Sequence, residues 1–360
     1  TVTQTINVAD ITAPTAATPA TINVQCYSAI PAANINVVTG VTDNCDPAPV
    51  VTLLTNIPAA PSCNGGPITV TRVYKITDCS GNSTTVTQTI NVADITAPTA
   101  ATPATINVQC YSAIPAANIN VVTGVTDNCD PAPVVTLLTN IPAAPSCNGG
   151  PITVTRVYKI TDCSGNSTTV TQTITVADIT APTATTPAAI NVQCYSAIPA
   201  ANINVVTNVA DNCDPAPVVT LLTNIPAAPS CNGGPITVTR VYKITDCSGN
   251  STTVTQTINV ADITGPAISS IPANVTVSCA GLVPPANTSA VVASDNCGGP
   301  VTVTSTDVTV AGICVNRFTV NRTYKVTDCS GNSSSATQVI TVNDQTGLVM
   351  TPPATQTLNV

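Results

Sequence analysis

An 84-residue repeat constrains this chain more than any other feature of its sequence. Residues 11–94 match residues 95–178 everywhere except at Asn91, which is Thr175 in the second copy. A third copy departs from the first at only four positions, and a fourth copy is shorter and diverged. Because a fixed period of this kind is typical of tandem modules, the unit that folds is the repeat and not the whole chain.

The sequence predicts four complete domains flanked by two partial ones. The first ten residues, TVTQTINVAD, are the same ten letters that end the first full copy, so they indicate the last strand of a repeat. The final residues resemble the start of another repeat. The predicted boundaries are 1–10 for the last strand of a preceding repeat, 11–94, 95–178, 179–262 and 263–344 for Ig-like repeats 1 to 4, and 345–360 for the start of a further module.

Apolar and polar residues alternate with period two, which predicts β-strands in every repeat. In residues 85–92 the threonines face one side, while Val86, Gln88, Ile90 and Val92 face the other. This pattern is typical of a half-buried strand. Many β-branched residues, 31 prolines and no helical periodicity predict an all-β fold, with tandem Ig-like β-sandwich modules arranged head to tail as an extended rod.

The other strands and one turn of a repeat are also predicted from local sequence. Further strands are expected at 21–26, 34–41, 49–57 and 68–77. The stretch TDCSGN has the Asp, Ser, Gly and Asn residues of a tight turn, so it predicts a hairpin between the last two strands. On the strand 68–77, we expect Arg72 and Lys75 to be solvated and Tyr74 to be a core aromatic residue.

Sixteen cysteines, four per repeat at matching places, predict a disulfide-bonded protein from outside the reducing cytosol. The strand directions place Cys26 and Cys63 at one pole of a repeat, and Cys45 and Cys79 at the other. We therefore expect the bonds Cys26–Cys63 and Cys45–Cys79, with two other pairings inside a repeat left open. Each bond would close a loop of roughly 35 residues and stabilise the repeat by on the order of 4 kcal/mol. The predicted disulfide cysteines are Cys26, Cys63, Cys45, Cys79, Cys110, Cys147, Cys129, Cys163, Cys194, Cys231, Cys213, Cys247, Cys279, Cys314, Cys297 and Cys329.

Composition and charge argue against several classes of function. All 17 acidic residues are Asp, and with nine Lys and Arg they give a net charge of −8, which disfavours nucleic acids and anionic membrane surfaces. The sequence contains no run of about 18 apolar residues, so membrane insertion is not predicted. No signal peptide is recognised, so export is inferred from cysteine usage alone. The lack of His and of CxxC pairs argues against zinc, and no set of catalytic residues is recognisable, so an enzyme is not predicted.

Three motifs link each repeat to a known family. With VTDNCDPAPVV at 41–51, VYKITDCSGNS at 73–83 and VADITAP at 92–98, the module resembles the hyalin repeat, or HYR-like Ig domain. The near-identical tandem copies resemble the giant surface adhesins of gliding Bacteroidota, the SprB type, which leave the cell by type IX secretion. This resemblance implies an extracellular stalk or adhesive fibre at the cell surface, serving gliding motility or surface attachment.

Aspartates in polar loops predict a calcium site at each module junction, because this cation takes six to eight oxygen ligands. If the first and last strands run parallel, the linker aspartate of one module meets the loops of the next. The alternative is that these aspartates cap turns and bond to backbone amides. The predicted ligands are Asp94 with Asp127, Asp130 and Asp162, and Asp178 with Asp211, Asp214 and Asp246.

The last junction is predicted to hold a weaker site. There Asp262 meets Asp295 and Asp328, but Gly298 stands where the other repeats carry a further aspartate.

Two other functions are left open by the sequence. One is an array of modules that bind a surface polysaccharide or another cell-surface ligand. The other is a filament subunit, in which strand 1–10 completes the sandwich of a neighbouring chain by strand addition.

Overall fold

A computed structural model describes residues 1–314, 316–347 and 351 of the chain, without the side chain of Cys314. Most of the predicted further module at 345–360 therefore lies outside the described residues. Two compact units are formed by residues 1–179 and 180–360, so repeats 1 and 2 share one unit and repeats 3 and 4 share the other. In the described ranges, no helix is long and apolar enough to cross a membrane.

Each repeat is built on one four-stranded sheet. In repeat 1 the strand order is β1-β4-β3-β2, with antiparallel pairing of β3 to both β2 and β4. Strand β1 runs parallel to β4, and Ile22 lies opposite Ile90. Strands β1 and β4, the first and last strands of the repeat along the chain, therefore end at the same pole, as predicted. The strands are β1 (Ile22–Val24), β2 (Val50–Thr55), β3 (Ile68–Thr77) and β4 (Ser83–Val92).

The other three repeats follow the same plan. In repeat 2 the strands are β5 (Ile106–Val108), β6 (Val134–Thr139), β7 (Ile152–Thr161) and β8 (Ser167–Val176). Repeat 3 has β9 (Thr183–Thr185), β10 (Ile190–Val192), β11 (Thr207–Ala210), β12 (Val218–Thr223), β13 (Ile236–Thr245) and β14 (Ser251–Val260). Repeat 4 has β15 (Ala267–Ser270), β16 (Val275–Val277), β17 (Val292–Ser294), β18 (Thr302–Cys314), β19 (Arg317–Thr327) and β20 (Ser333–Asn343).

Helical structure in the described ranges is limited to three-residue 3-10 turns, so the predicted all-β class is confirmed. The strand predicted at 34–41 is wrong, because Ile35–Val37 is one of these turns. The Asn34 side chain caps it by accepting the N–H of Asn36 at 2.9 Å. The turns span Tyr27–Ala29, Ile35–Val37, Tyr111–Ala113, Ile119–Val121, Tyr195–Ala197, Ile203–Val205, Ala280–Leu282 and Thr288–Ala290.

A narrow second layer covers one face of the sheet and makes the repeat a sandwich. In repeat 1, Thr15 and Thr42 exchange backbone hydrogen bonds of 2.9 and 3.0 Å. In repeats 3 and 4 this ladder lengthens into the antiparallel pairs β9 with β11 and β15 with β17. Ala16 and Val41 of this layer pack on the core cluster that contains Tyr74.

The predicted alternation along the last strand is confirmed by burial. Val86, Gln88, Ile90 and Val92 are all buried, while the threonines between them are not. Tyr74 is fully buried, as predicted. Because aromatic residues are few, the apolar core of each sandwich consists mainly of Val and Ile from the two central strands, which are β3 and β4 in repeat 1.

Arg72 is buried, which corrects the prediction that it is a solvated strand charge. It is only 3% exposed because the inward face takes every second residue of β3. Its guanidinium donates to Asn56 Oδ1 at 2.9 Å and to the Pro31 carbonyl at 2.5 Å. In repeat 4 the equivalent Arg322 bonds Asp307 instead, at 2.7 Å, and this hydrogen bond lowers the pKa of the Asp307 carboxyl.

The disulfides join neighbouring repeats, so the predicted pairing of Cys26 with Cys63 is wrong. Cys26 of repeat 1 bonds Cys129 of repeat 2, and Cys63 bonds Cys163. The Cα–Cα distances of 5.1 and 5.5 Å are ordinary for disulfides. Stacking of the repeats brings the Cys26 and Cys63 pole of one module against the opposite pole of the next. Each cysteine therefore meets a partner across the junction.

The same arrangement holds in the second unit, and it changes the status of other cysteines. There the bonds are Cys194–Cys297 and Cys231–Cys329. Cys45, Cys79 and Cys279 are free thiols, which corrects the predicted Cys45–Cys79 bond and the predicted pairing of Cys279. Four further cysteines are disulfide-bonded, namely Cys110, Cys147, Cys213 and Cys247.

Candidate functional site at the repeat junction

Asp94 ends repeat 1 and reaches into the pole of repeat 2. Its N–H donates to the Gly65 carbonyl at 2.9 Å, and its own carbonyl accepts from the Asn166 side chain at 3.0 Å. Its Oδ1 accepts from the Thr96 N–H at 3.0 Å and from the Asn128 side chain at 3.3 Å. The residue is 7% exposed, so the linker carboxylate is held inside the junction.

Asp127 faces Asp94 from repeat 2. Its Oδ2 accepts the N–H groups of Cys129 and Asp130 at 2.8 and 2.9 Å, which fixes the DNCD turn. Its Oδ1 is buried without a hydrogen-bond partner, and so is Oδ2 of Asp94. One oxygen from each aspartate and the sulfur of Cys129 lie within 4.8 Å of one another. Because that sulfur is in a disulfide, the two carboxylates are the groups of this cluster that offer charge to a cation.

The other two predicted ligands of this junction cap turns. Asp130 accepts the N–H of Ala132 at 2.9 Å through Oδ1 and that of Cys163 at 2.8 Å through Oδ2. Asp162 accepts both the backbone and the side-chain N–H of Asn166, at 2.8 and 2.9 Å. Both oxygens of each residue are therefore engaged. The structure brings together Asp94 and Asp127, whereas Asp130 joins the DNCD turn to the TDCSGN turn and Asp162 caps its own turn.

Repeat 3 has the same turn chemistry at its predicted ligands. Asp211 accepts the N–H groups of Cys213 and Asp214 at 2.9 Å, like Asp127. Asp214 accepts the Cys247 N–H at 2.8 Å, and Asp246 accepts the Asn250 N–H at 2.8 Å. Asp178, at the end of repeat 2, is 7% exposed and donates its N–H to the Gly149 carbonyl at 2.9 Å.

The junction between repeats 3 and 4 reproduces the first one. Asp262 is 8% exposed, and oxygens of Asp262 and Asp295 lie within 4.8 Å of each other and of the Cys297 sulfur. Asp262 Oδ2 and Asp295 Oδ1 are buried without partners. Asp328 caps its turn by accepting the Asn332 N–H at 2.8 Å. Gly298 stands at the position of Asp130, whose two oxygens accept backbone N–H groups in repeat 2, and the weaker site at this junction stays a prediction.

Gly65 is a junction residue that the sequence did not predict. A Cβ added to it would lie 2.6 Å from the Asp94 Cβ and 2.8 Å from the Ser164 hydroxyl, so no side chain fits between the two repeats. Gly233 is in the same position against Asp262 and Ser330. The repeated CNGGP phrase was the available signal, because paired glycines often mark a close approach of two backbones.

The opposite pole of repeat 1 carries a similar cluster of carboxylates. Oxygens of Asp10, Asp43 and Asp78 lie within 4.8 Å of one another. Desolvation raises the pKa of Asp78, but hydrogen bonds led by those from Asn82 outweigh it, and the net pKa is lowered. Desolvation, followed by the charges of Asp10 and Asp43, raises the pKa of the Cys45 thiol. This thiol is therefore less ionised at neutral pH than an ordinary cysteine.

Four matches to one protein family cover most of the chain. The family is described as an HYR-like domain with 4 cysteines, and it matches residues 14–92, 98–176, 182–260 and 267–342. The chain belongs to this HYR-like family. Each match falls inside one predicted repeat, so the four-cysteine HYR-like domain is the repeating unit. No curated protein sequence matches the chain.

Several solved structures of tandem domains resemble the HYR-like array loosely. A protocadherin gammaB7 EC3-6 cis-dimer structure has a TM-score of 0.34 and 14% identity, covering 91% of this chain and 100% of its own. Drosophila N-cadherin EC1-4 has a TM-score of 0.26 and 14% identity, with 89% and 99% coverage. Sidekick-1 immunoglobulin domains 1-5 have a TM-score of 0.26 and 14% identity, with 92% and 81% coverage. Likenesses at this level carry no argument about ligands or partners.

Proposed function

We propose that this HYR-like array is a structural segment of an extracellular adhesive fibre or stalk whose repeats are covalently fastened to one another. The observation that carries the proposal is the pair of disulfides across one junction, Cys26–Cys129 and Cys63–Cys163. Together with the linker they give three covalent connections between repeats 1 and 2. Disulfides persist in oxidising compartments, which supports a location outside the cytosol.

Covalent fastening suits a fibre better than a set of independent binding domains. Domains joined only by a linker separate and reorient freely, whereas repeats joined by three connections stay in register when the chain is pulled. The near-identity of the first three repeats also favours a spacer or a polyvalent array over one specific pocket. An attachment role as an SprB-type adhesin of a gliding bacterium is a narrower form of this proposal and rests on the sequence resemblance. An array that binds a surface polysaccharide is the alternative form.

Strand addition is less favoured as the basis of a filament. Each of the four described repeats already has its own last strand, β4, β8, β14 or β20, paired between two neighbours. No described sheet lacks the strand that residues 1–10 would supply. A polymerising subunit would need an acceptor repeat with an incomplete sheet.

Calcium completes the junction in this proposal. Asp94 and Asp127 each present a buried oxygen without a partner, and two like charges this close repel each other unless a cation compensates them. Oxygen ligands and carboxylate charge suit calcium, with the remaining ligands supplied by backbone carbonyls or water. Two carboxylates with free oxygens indicate a weak site, with a dissociation constant of about 0.1 to 1 mM, as in other extracellular modules.

Calorimetric titration of the whole chain with calcium tests this part of the proposal. We expect a dissociation constant of about 0.1 to 1 mM, and a gain in unfolding free energy of about 1.4 kcal/mol at ten times that concentration of calcium. Asp94→Asn together with Asp127→Asn should remove one bound ion per chain, because both charged groups of that junction are neutralised.

Asp344→Asn is the matched control. Asp344 follows the last strand of repeat 4 as Asp94 follows that of repeat 1, and it caps Thr346 in the same way, with Oδ1 accepting the N–H at 2.9 Å. It belongs to no carboxylate cluster in the described ranges. The control should bind as much calcium as the unchanged chain. No heat of binding and no thermal shift at 10 mM calcium would contradict the site and leave Asp94 and Asp127 as turn caps.

A further inference from the structure

The pole of repeat 1 carries two free thiols at places that are bonded in the next repeat. Cys45 and Cys79 are exposed and free. The equivalent cysteines of repeat 2, Cys129 and Cys163, are both bonded to repeat 1. Repeat 4 gives the same result, since its equivalents Cys297 and Cys329 are bonded to repeat 3. In each described junction, these two positions receive the cysteines of another repeat.

The carboxylates at this pole are also arranged for a junction. The Asp10 carbonyl accepts from the Asn82 side chain at 3.1 Å, and Asp10 Oδ1 accepts the Thr12 N–H at 3.0 Å. Asp94 makes the same two kinds of contact at the junction of repeats 1 and 2. Asp10 Oδ2 and Asp43 Oδ1 are buried without partners, again as at that junction.

The segment 1–10, which leads into this pole, exposes its apolar side chains. Val2, Ile6 and Val8 are 102%, 75% and 92% exposed. Residues 1–10 have the same sequence as residues 85–94, in which the equivalent valine and isoleucine side chains are at most 9% exposed. A segment with this pattern is a strand that lacks its sheet. It therefore indicates what belongs above the pole, namely an HYR-like repeat whose last strand is residues 1–10.

We propose that Cys45 and Cys79 form a covalent docking surface for one HYR-like repeat, the repeat that incorporates residues 1–10 as its last strand. The partner must carry a cysteine after its first strand, to bond Cys45 as Cys26 bonds Cys129. It must carry a second cysteine in its CNGG loop, to bond Cys79 as Cys63 bonds Cys163. The inference extends the proposed fastened array and rests on it.

Bond formation follows thiol–disulfide exchange and requires an oxidant of the disulfide class, such as oxidised glutathione. The thiolate of one cysteine attacks the oxidant, forming a mixed disulfide and releasing one thiol. The thiolate of the partner cysteine then attacks the protein sulfur of that mixed disulfide and releases the second thiol. Two protein thiols are thus oxidised to one disulfide, and one oxidant disulfide is reduced to two thiols.

An extended chain tests the docking surface directly. A copy of residues 11–84 is added in front of Thr1, so that the copy and residues 1–10 make one complete repeat. In this copy the equivalents of Cys45 and Cys79 are serine, and those of Cys26 and Cys63 are kept. After oxidation with glutathione, thiols are titrated in denaturant. We expect two fewer thiols than in the unextended chain, because Cys45 and Cys79 bond the two added cysteines.

The control is the same extension with all four of its cysteines replaced by serine, which should have the thiol count of the unextended chain. Two additional thiols in the test chain would overturn the proposal. A Cys45–Cys79 bond in the unextended chain would also overturn it. So would covalent oligomers of the unextended chain that consume Cys45, because the occupant would then be a second copy. Mapping Cys194–Cys297 in the same sample shows separately whether the fastened array itself is present.

Discussion

Pulled from its two ends, the oxidised chain should be shorter at full extension than the reduced chain by at least roughly 700 Å. The bonds Cys26–Cys129 and Cys194–Cys297 each span 103 residues. At about 3.3 to 3.6 Å per extended residue, each bridged loop withholds roughly 340 to 370 Å of chain from the applied force. Single-molecule force spectroscopy with and without a thiol reductant measures this difference.

The two bonds of a junction overlap in sequence, and this shapes the release of length. After Cys26–Cys129 is cut, Cys63–Cys163 still bridges 100 residues, so the chain lengthens greatly only after both bonds are cut. Bonds confined to single repeats would withhold about 37 residues in each, or roughly 500 Å over four repeats. A difference of that size or smaller between the oxidised and reduced chains would contradict linkage between repeats.

Loss of both bonds between repeats 1 and 2 should destabilise the first unit by up to about 9 kcal/mol, because each of the two bonds closes a long loop. The chain-entropy model assigns about 4.7 kcal/mol to a cross-link that closes a loop of about 100 residues. The variant replaces Cys26, Cys63, Cys129 and Cys163 by serine, and urea unfolding of the chain measures its stability.

Cys45→Ser with Cys79→Ser is the matched control for this variant. Both residues are exposed free thiols, so their replacement should change the unfolding free energy by less than about 0.5 kcal/mol. If cysteines paired inside each repeat, this control would itself lose a disulfide. A loss of several kcal/mol in the control would therefore count against the pairing between repeats.

The central strands could be predicted closely, because their information is local. Period-two alternation specifies which residues of β3 and β4 face inward, and both strands begin and end within two residues of the predicted bounds. The same alternation places Arg72 on the inward face, although a charged side chain ordinarily indicates an exposed position. Its partners Asn56 and Pro31 come from other loops of the repeat, so local sequence does not identify them.

The disulfide pairing could not be predicted by considering one repeat alone. Strand direction correctly assigned Cys26 and Cys63 to the same pole, but it does not say whether two cysteines at a pole meet each other or another module. In identical tandem repeats each pole faces the opposite pole of a neighbour, so both solutions use the same cysteine positions. The choice depends on how closely the repeats stack, and contacts such as Gly65 of repeat 1 against Ser164 of repeat 2 set that distance.

The sequence predicts where the candidate cation site lies, but not which carboxylates keep a free oxygen there. The linker aspartate Asp94 does meet the DNCD loop of the next repeat, which follows from parallel first and last strands. Which carboxylates keep a free oxygen depends on individual hydrogen bonds to backbone amides. Asp127 uses one oxygen in this way and Asp130 uses both, although the two residues lie in the same four-residue turn.

The pairing of cysteines across a junction is tested most directly by a non-reducing peptide map of the oxidised chain. A protease that cleaves before aspartate gives the peptide 178–210, which contains Cys194 and whose sequence is unique because the third repeat differs from the others. It also gives the unique peptide 295–306, which contains Cys297. We predict a disulfide between these two peptides. A disulfide between 178–210 and 214–245, the peptide with Cys231, would mean that the repeats are closed individually and would contradict the covalently fastened array.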